Sequence, residues 1–260
     1  MHIRRFIPLV ATAATLSFVV AAVSAPLLSN GVLGASVTTR LMKPPGTFII
    51  DPTFANDTEK RLDAATNVVS EIMGSPDKGI PQDLLGKAAC VVVVPGVKKG
   101  AFVIGAKYGR GFIVCRKPGG GWSAPAGLKV EGGSVGFQIG GSETDVVMLV
   151  MNEGAIDKLL SSKFTIGADA SATAGPVGRT AAAETDIQMH AQLLTYSRAR
   201  GLFAGVSLEG ATLRPDDDAN KDLYGKEISS RDIVRGNTAP PTAASGLLAE
   251  LKKYSARRTQ

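Results

Sequence analysis

Gly132-Gly133-Ser134-Val135-Gly136 has the spacing of a nucleophile elbow, in which a strained turn between strand and helix lifts a serine oxygen clear of the sheet to attack an acyl carbon. The residues that follow do not suit a helix. Val135, Phe137 and Ile139 recur at every second position, which is the period of a strand. A general base is also scarce, because after His2 the chain has one histidine, His190, in a run that reads as sheet. The glycines are therefore read as a turn or bulge, and a hydrolase using Ser134 stands last among three functional readings.

Asp216, Asp218, Asn220, Asp222 and Glu227 fall at the first, third, fifth, seventh and twelfth positions of a calcium loop. The sixth position, where glycine permits the sharp turn, is Lys221. Helix caps and partners of the helix dipole explain these acids without a metal. Two isolated cysteines and one mature histidine cannot close a zinc site, and no Walker sequence or Gly-x-Gly-x-x-Gly fingerprint is present. The expectation is no cofactor, no metal and no enzyme activity.

Charge is more informative. The 260 residues carry a net charge of +6, and from Ala88 to Val130 there are seven cations and no acid: Lys98, Lys99, Lys107, Arg110, Arg116, Lys117 and Lys129. The β-branched run Ala88–Val94 predicts a first strand closed by Pro95-Gly96, with Ala101–Tyr108 and Phe112–Arg116 as the second and third. In such a meander the Lys98-Lys99 turn and the Arg116-Lys117 strand end share one sheet edge, and Lys107 and Arg110 belong to the opposite turn. Four cations at an anionic membrane surface are worth about 1 kcal/mol each, so Lys98, Lys99, Arg116 and Lys117 form the candidate lipid-binding site. The same layout sets Cys90 and Cys115 level with Gly105 but two strand spacings apart, about 9 to 10 Å, beyond disulfide reach. Two buried thiols are expected.

The elements around this sheet follow from periodicity. Leu62, Ala65, Val69 and Ile72 share one face of a helix that Asp57 or Thr58 caps and Gly74 ends. Pro81 opens a short helical segment through Leu85. Later strands are expected at Leu128–Glu131, Val135–Ile139, Asp145–Val150, Ile187–Arg198 and Leu202–Leu208, with helices at Glu153–Leu160, Asp218–Tyr224, Ser230–Val234 and Leu247–Tyr254. Strands in the middle and helices at the flanks indicate an α+β fold with a glycine-rich, mainly antiparallel sheet core and flanking helices. At the start, Arg4 and Arg5, the uncharged run Phe6–Ala22 and Val23-Ser24-Ala25 compose an export signal over residues 1–25, an uncleaved anchor being the alternative. Residues 26–57 read as a linker or arm, 58–236 as the main domain, and 237–260 as a basic, partly helical tail.

The stretch from Leu62 to Gly236 resembles the SYLF domain family, also described as the yeast-type actin-binding domain family. The resemblance rests on Ile80-Pro81 with Leu84-Leu85, Ala88 to Pro95 with Lys99-Gly100, Gly109-Arg110-Gly111, Trp122-Ser123-Ala124-Pro125, and Gly133 with Gly136-Phe137-Gln138-Ile139-Gly140. It continues through Asp145 to Asn152, Ala174-Gly175-Pro176-Val177-Gly178-Arg179, Tyr196-Ser197, Gly201-Leu202-Phe203-Ala204-Gly205 and Asn220 with Tyr224-Gly225. It implies a non-enzymatic lipid-binding module for acidic phosphoinositides, with actin binding in some eukaryotic members, and it assigns no catalytic residue. In a bacterial cell, export separates the chain from cytosolic actin and from phosphoinositides. The expected partner is then an anionic phospholipid or membrane surface met in the periplasm or outside the cell, with actin and nucleic acid not expected. The alternative is a structural or protein-interaction domain of the cell envelope, suggested by the glycine-rich sheet and the arm at Pro26–Asn56.

Overall fold

Four consecutive valines, Val91 to Val94, have no polar side, so a strand made of them must be covered on both faces. The computed structural model describes residues 56–75, 79–101, 104–135, 140–160, 163–178, 191–199, 202–206 and 208–255, and it sets this run at the centre of the sheet. Residues 1–25, read as an export signal, most of the residues read as an arm, and His190 lie outside the described residues.

In chain order the strands are β1 (Cys90–Ala101), β2 (Ile104–Cys115), β3 (Ala126–Val135), β4 (Gly140–Val150), β5 (Phe164–Thr165), β6 (Ala172–Ala174), β7 (Leu193–Ala199), β8 (Leu202–Gly205) and β9 (Thr212–Pro215). The helices are α1 (Asp57–Gly74), α2 (Gln82–Lys87), α3 (Glu153–Leu159), α4 (Asp217–Tyr224), α5 (Ser230–Arg235) and α6 (Ser245–Tyr254). The strands join in the order β5-β9-β3-β2-β1-β4-β7-β6, with β8 also paired to β7. Pairing is antiparallel except between β6 and β7. The architecture is the expected α+β.

Each face of the sheet has its own core. On one, Val91, Val93, Phe112, Val114, Val147 and Leu149 meet Leu62, Val69 and Ile72 of α1, Leu85 of α2, and Leu247 and Leu251 of α6. On the other, Val92, Val94, Ile113, Leu128 and Met148 meet Ile156 and Leu159 of α3, Phe164, Leu213 and Ile233 of α5. The segment read as a basic tail thus supplies a core helix. Asn56 rather than Asp57 or Thr58 caps α1: its side chain accepts from Glu59 N at 2.8 Å while the Glu59 carboxylate accepts from Asn56 N at 3.1 Å, a reciprocal cap worth about 1 kcal/mol.

Three short expected strands are in fact two long ones. Pro95-Gly96 does not end β1; it forms a bulge, with Gly96 at φ 59° and the register to β2 shifting between Val93 and Lys98. The extra residue reverses the alternation, so Val92 and Val94 share a face with Val97. Gly109 and Gly111 likewise sit within β2. A side-chain carbon on Gly111 would stand 2.1 Å from the Val93 carbonyl oxygen, so these glycines admit the bulged neighbour where a turn was expected. Val135 closes β3, and the remainder of the strand expected at Val135–Ile139 lies outside the described residues.

The cysteine expectation fails for the same reason. With β1 and β2 paired along their whole length, Cys90 lies directly opposite Cys115 and the two form a disulfide. Thiol titration of the denatured, non-reduced protein should therefore find no free thiol. The double substitution Cys90→Ala, Cys115→Ala should lower the unfolding free energy by about 2 to 4 kcal/mol, read by denaturant titration.

Candidate functional site

The β1–β2 hairpin separates the four predicted lipid-binding cations. Lys98 and Lys99 lie toward the hairpin end, paired in register with Tyr108 and Lys107. Arg116 and Lys117 follow the opposite end of β2, beyond the Cys90–Cys115 pair. Nine residues of strand separate Lys99 from Cys90, about 30 Å at the usual rise. The shared edge does not exist.

Arg116 is committed to the fold. Its Nη2 donates to Ser255 O at 2.9 Å and to Leu85 O at 3.3 Å, and its Nε donates to Ala88 O at 3.3 Å. Its guanidinium lies 4.3 Å from the centre of the Trp122 ring, and Trp122 Nε1 donates to Ser255 Oγ at 3.1 Å. These contacts fasten the ends of α2 and α6 to the sheet. Lys117 opens a tight turn in which Gly120 N donates to its carbonyl at 3.0 Å.

Arg110 is also structural. With Lys129, directly across on β3, it converges on Asp216, whose side chain is wholly buried. Arg110 Nη2 donates to Asp216 Oδ1 at 2.8 Å, Lys129 Nζ lies 3.2 Å from the same oxygen, and Ala219 N, in the first turn of α4, donates to it at 3.3 Å. Burial raises the Asp216 pKa, but the bonds from Arg110, Lys129 and Ala219 outweigh it and hold the carboxyl below its usual range. The rest of the supposed calcium loop has similar work. Asn220 accepts from Gly127 N at 2.7 Å and donates to Ser230 Oγ at 3.0 Å, and Lys221 pairs with Glu227 at 2.6 Å. Among the described residues no group of three or more His, Cys, Asp or Glu could hold a metal ion. Ser134 lies within β3, opposite Gly105, and the strand continues to Val135, so its backbone is not at a strand-to-helix turn.

What remains is a cationic hairpin end. Lys98 and Lys99 are exposed, and Lys99 faces Lys107 directly across the strands, a destabilising like-charge pair in the absence of an anion. Burial and the Lys99 charge together lower the Lys107 pKa. Glu143 is opposite Lys98 in register, yet its carboxylate lies against Gly96, and among the described residues it forms no ion pair with Lys98. Sequence reasoning put Lys107 with Arg110 because it took Pro95-Gly96 as a strand end. Buried Val97 followed by exposed Lys98 resumes the alternation one residue out of step, and that is the signal that the strand continues.

Residues 131–254 match the Ysc84 family, described as Las17-binding protein actin regulator. The chain carries a Ysc84 (SYLF) family domain. It is 33% identical over 202 residues to the human SH3 domain-containing YSC84-like protein 1, a match covering 77% of this chain and 58% of that protein. The Xenopus laevis protein of the same name is 35% identical over 182 residues, covering 69% and 54%. LAS seventeen-binding protein 3 of Saccharomyces cerevisiae is 33% identical over 186 residues, covering 70% and 40%. The chain spans little more than half the length of these relatives at most. The family description names binding and regulation and no reaction.

Several of the residues that carried the SYLF resemblance now have physical roles in the Ysc84 domain. Trp122 stacks on Arg116, Ser123 Oγ accepts from Cys115 N at 3.0 Å, and Pro125 O accepts from Tyr224 Oη at 2.6 Å. Gly225 ends α4 at φ 67°, and Gly175 lies under the Tyr196 ring, where an added carbon would stand 2.1 Å from Cζ.

Asp216 predicts an acid sensitivity. Its folded pKa lies below the unfolded value of about 3.9, so the stabilisation is fully present above that value and is lost as pH falls through the folded pKa. Asp216→Asn should cost about 2 to 3 kcal/mol at neutral pH and flatten the decline in stability below pH about 4, measured by urea titration across pH.

Proposed function

We propose that the chain is a non-enzymatic module that docks on anionic phospholipid surfaces through Lys98, Lys99 and Lys107. The observation that carries this reading is the cross-strand pair Lys99–Lys107, beside exposed Lys98, with no carboxylate partner for any of the three among the described residues. Each cation near an anionic bilayer contributes about 1 kcal/mol, and the attraction falls off within a Debye length. Among the described residues no helix is long and apolar enough to cross a membrane. The association proposed is peripheral. Export is part of the same proposal, supported by the sequence pattern of residues 1–25 and by the Cys90–Cys115 disulfide, which suits an oxidising compartment.

A second reading, a protein partner in the cell envelope, draws on the family description and on the relative named as LAS seventeen-binding. Vesicle co-sedimentation separates the two. The protein should pellet with phosphatidylglycerol vesicles and not with phosphatidylcholine, less so as salt rises. Reversal of Lys98 and Lys99 to Glu should weaken binding at least about thirtyfold, whereas Lys117→Glu should leave it nearly intact. Equal losses from both, or salt-insensitive binding, would refute the hairpin site and leave the protein-partner reading.

A further inference from the structure

The two faces of the hairpin end differ in charge. Glu131 and Glu143 belong to the face that carries α1, since they alternate with Val130 and Val146 of the opposite core, and Lys98, in register with Glu143, is on that face too. Lys99 and Lys107 are on the other face, level with Ser142 of β4 and Gly132 of β3. Glu209, in the loop before β9, has its side chain against Gly167. Among the described residues no carboxylate is paired with either lysine.

Directly opposed residues on antiparallel strands hold their Cβ atoms about 5 Å apart, so two ammonium groups in these positions repel at close range. The two lysines are not equivalent. Lys99 is exposed and can turn its charge toward water. Lys107 is partly buried, so its ammonium loses solvation as well as facing a like charge. Both effects favour the neutral amine, and together they lower the Lys107 pKa. A lysine made neutral by desolvation and a neighbouring cation is a nucleophile. On the flank of Lys107 away from Lys99, Gly132 presents no side chain, and a carbon added there would lie 3.4 Å from buried Ala211. That flank is small and apolar.

We infer that Lys107 is a covalent modification site, a nucleophilic amine that takes small aldehydes as imines, with Lys99 across the strands as the residue that makes it reactive. The neutral nitrogen attacks the carbonyl carbon and a C–N bond forms. Both protons of the nitrogen pass to the carbonyl oxygen, which leaves as water, so no oxidant or reductant is consumed. An imine nitrogen is a weaker base than an amine, and the adduct therefore removes the charge that Lys99 opposes. Lys99 acts through its charge and is not itself a catalytic residue. The reactivity belongs to the protein in solution and does not depend on the hairpin being a membrane anchor.

Limiting propanal with cyanoborohydride at neutral pH, followed by peptide mass spectrometry, tests the site on the full chain. The reductant traps each imine as a secondary amine, so the products count the imines formed. Lys107 should be modified at least about threefold faster than exposed Lys87 and Lys252 in the same sample. Lys99→Gln should bring Lys107 down to the rate of those two or below it. Lys99→Arg keeps the charge and should leave Lys107 fast. Lys99 is exposed, so both variants should fold, and unchanged rates at Lys87 and Lys252 check that they do. The site is refuted if wild-type Lys107 reacts no faster than the two reference lysines, or if Lys99→Gln leaves its lead intact. A lead lost equally in Lys99→Gln and Lys99→Arg also refutes it, because the neighbouring charge would then not be the cause. No membrane is present in this experiment, so an unreactive Lys107 and a failed hairpin anchor are separate results.

Discussion

A strand buried on both faces cannot slide against its neighbours, because every one-residue shift exchanges the two cores. That constraint on β1 organises the molecule. Its even-numbered residues before the bulge belong to the core beneath α3 and α5, its odd-numbered ones to the core beneath α1, α2 and α6. The disulfide at one end and the bulge at Pro95-Gly96 set the pairing with β2. Everything further out, from β3 to β9 on one side and β4 to β7 on the other, takes its facing from this pair.

The sequence was most legible where one period ran uninterrupted. Leu62, Ala65, Val69 and Ile72 marked α1, and the helices at Glu153, Asp218, Ser230 and Leu247 were found within a residue or two. It was least legible where glycine served two purposes. Gly96, Gly109 and Gly111 have the local signature of turns, yet in the fold they accommodate a bulge and the close approach of two backbones. Only the partner strand distinguishes these uses, and the partner is a non-local fact. The misplaced site and the misjudged cysteines are both consequences of that one ambiguity.

Charge behaved in a comparable way. The acid-free stretch from Ala88 to Val130 offered its cations as two groups at opposite ends of the sheet, but its compensation comes from far along the chain, as Asp216 buries itself between Arg110 and Lys129. Arg116 is occupied by backbone carbonyls and a tryptophan ring. Lys99 and Lys107 differ because, apart from each other, the strand neighbours nearest them are glycine, alanine and serine, among them Gly100, Ala106, Gly132 and Ser142, while the Glu143 carboxylate opposite Lys98 lies against Gly96. A charge run read from sequence gives the supply of cations, and the fold decides which of them remain unspent.

The clasp of Arg116 and Trp122 on Ser255 has a consequence for the order of assembly. The carbonyl that Arg116 holds belongs to a residue 139 positions later in the chain, and Leu247 and Leu251 beside it complete the core under α1. The valine-rich face of β1 and β2, which α1 and α2 cover in part, is therefore not complete until Leu247 and Leu251 have been synthesised. Contacts this distant in sequence make folding slow and cooperative, so an emerging chain has no finished subdomain to retain. It remains extendable until α6 arrives, and the domain then closes as one unit.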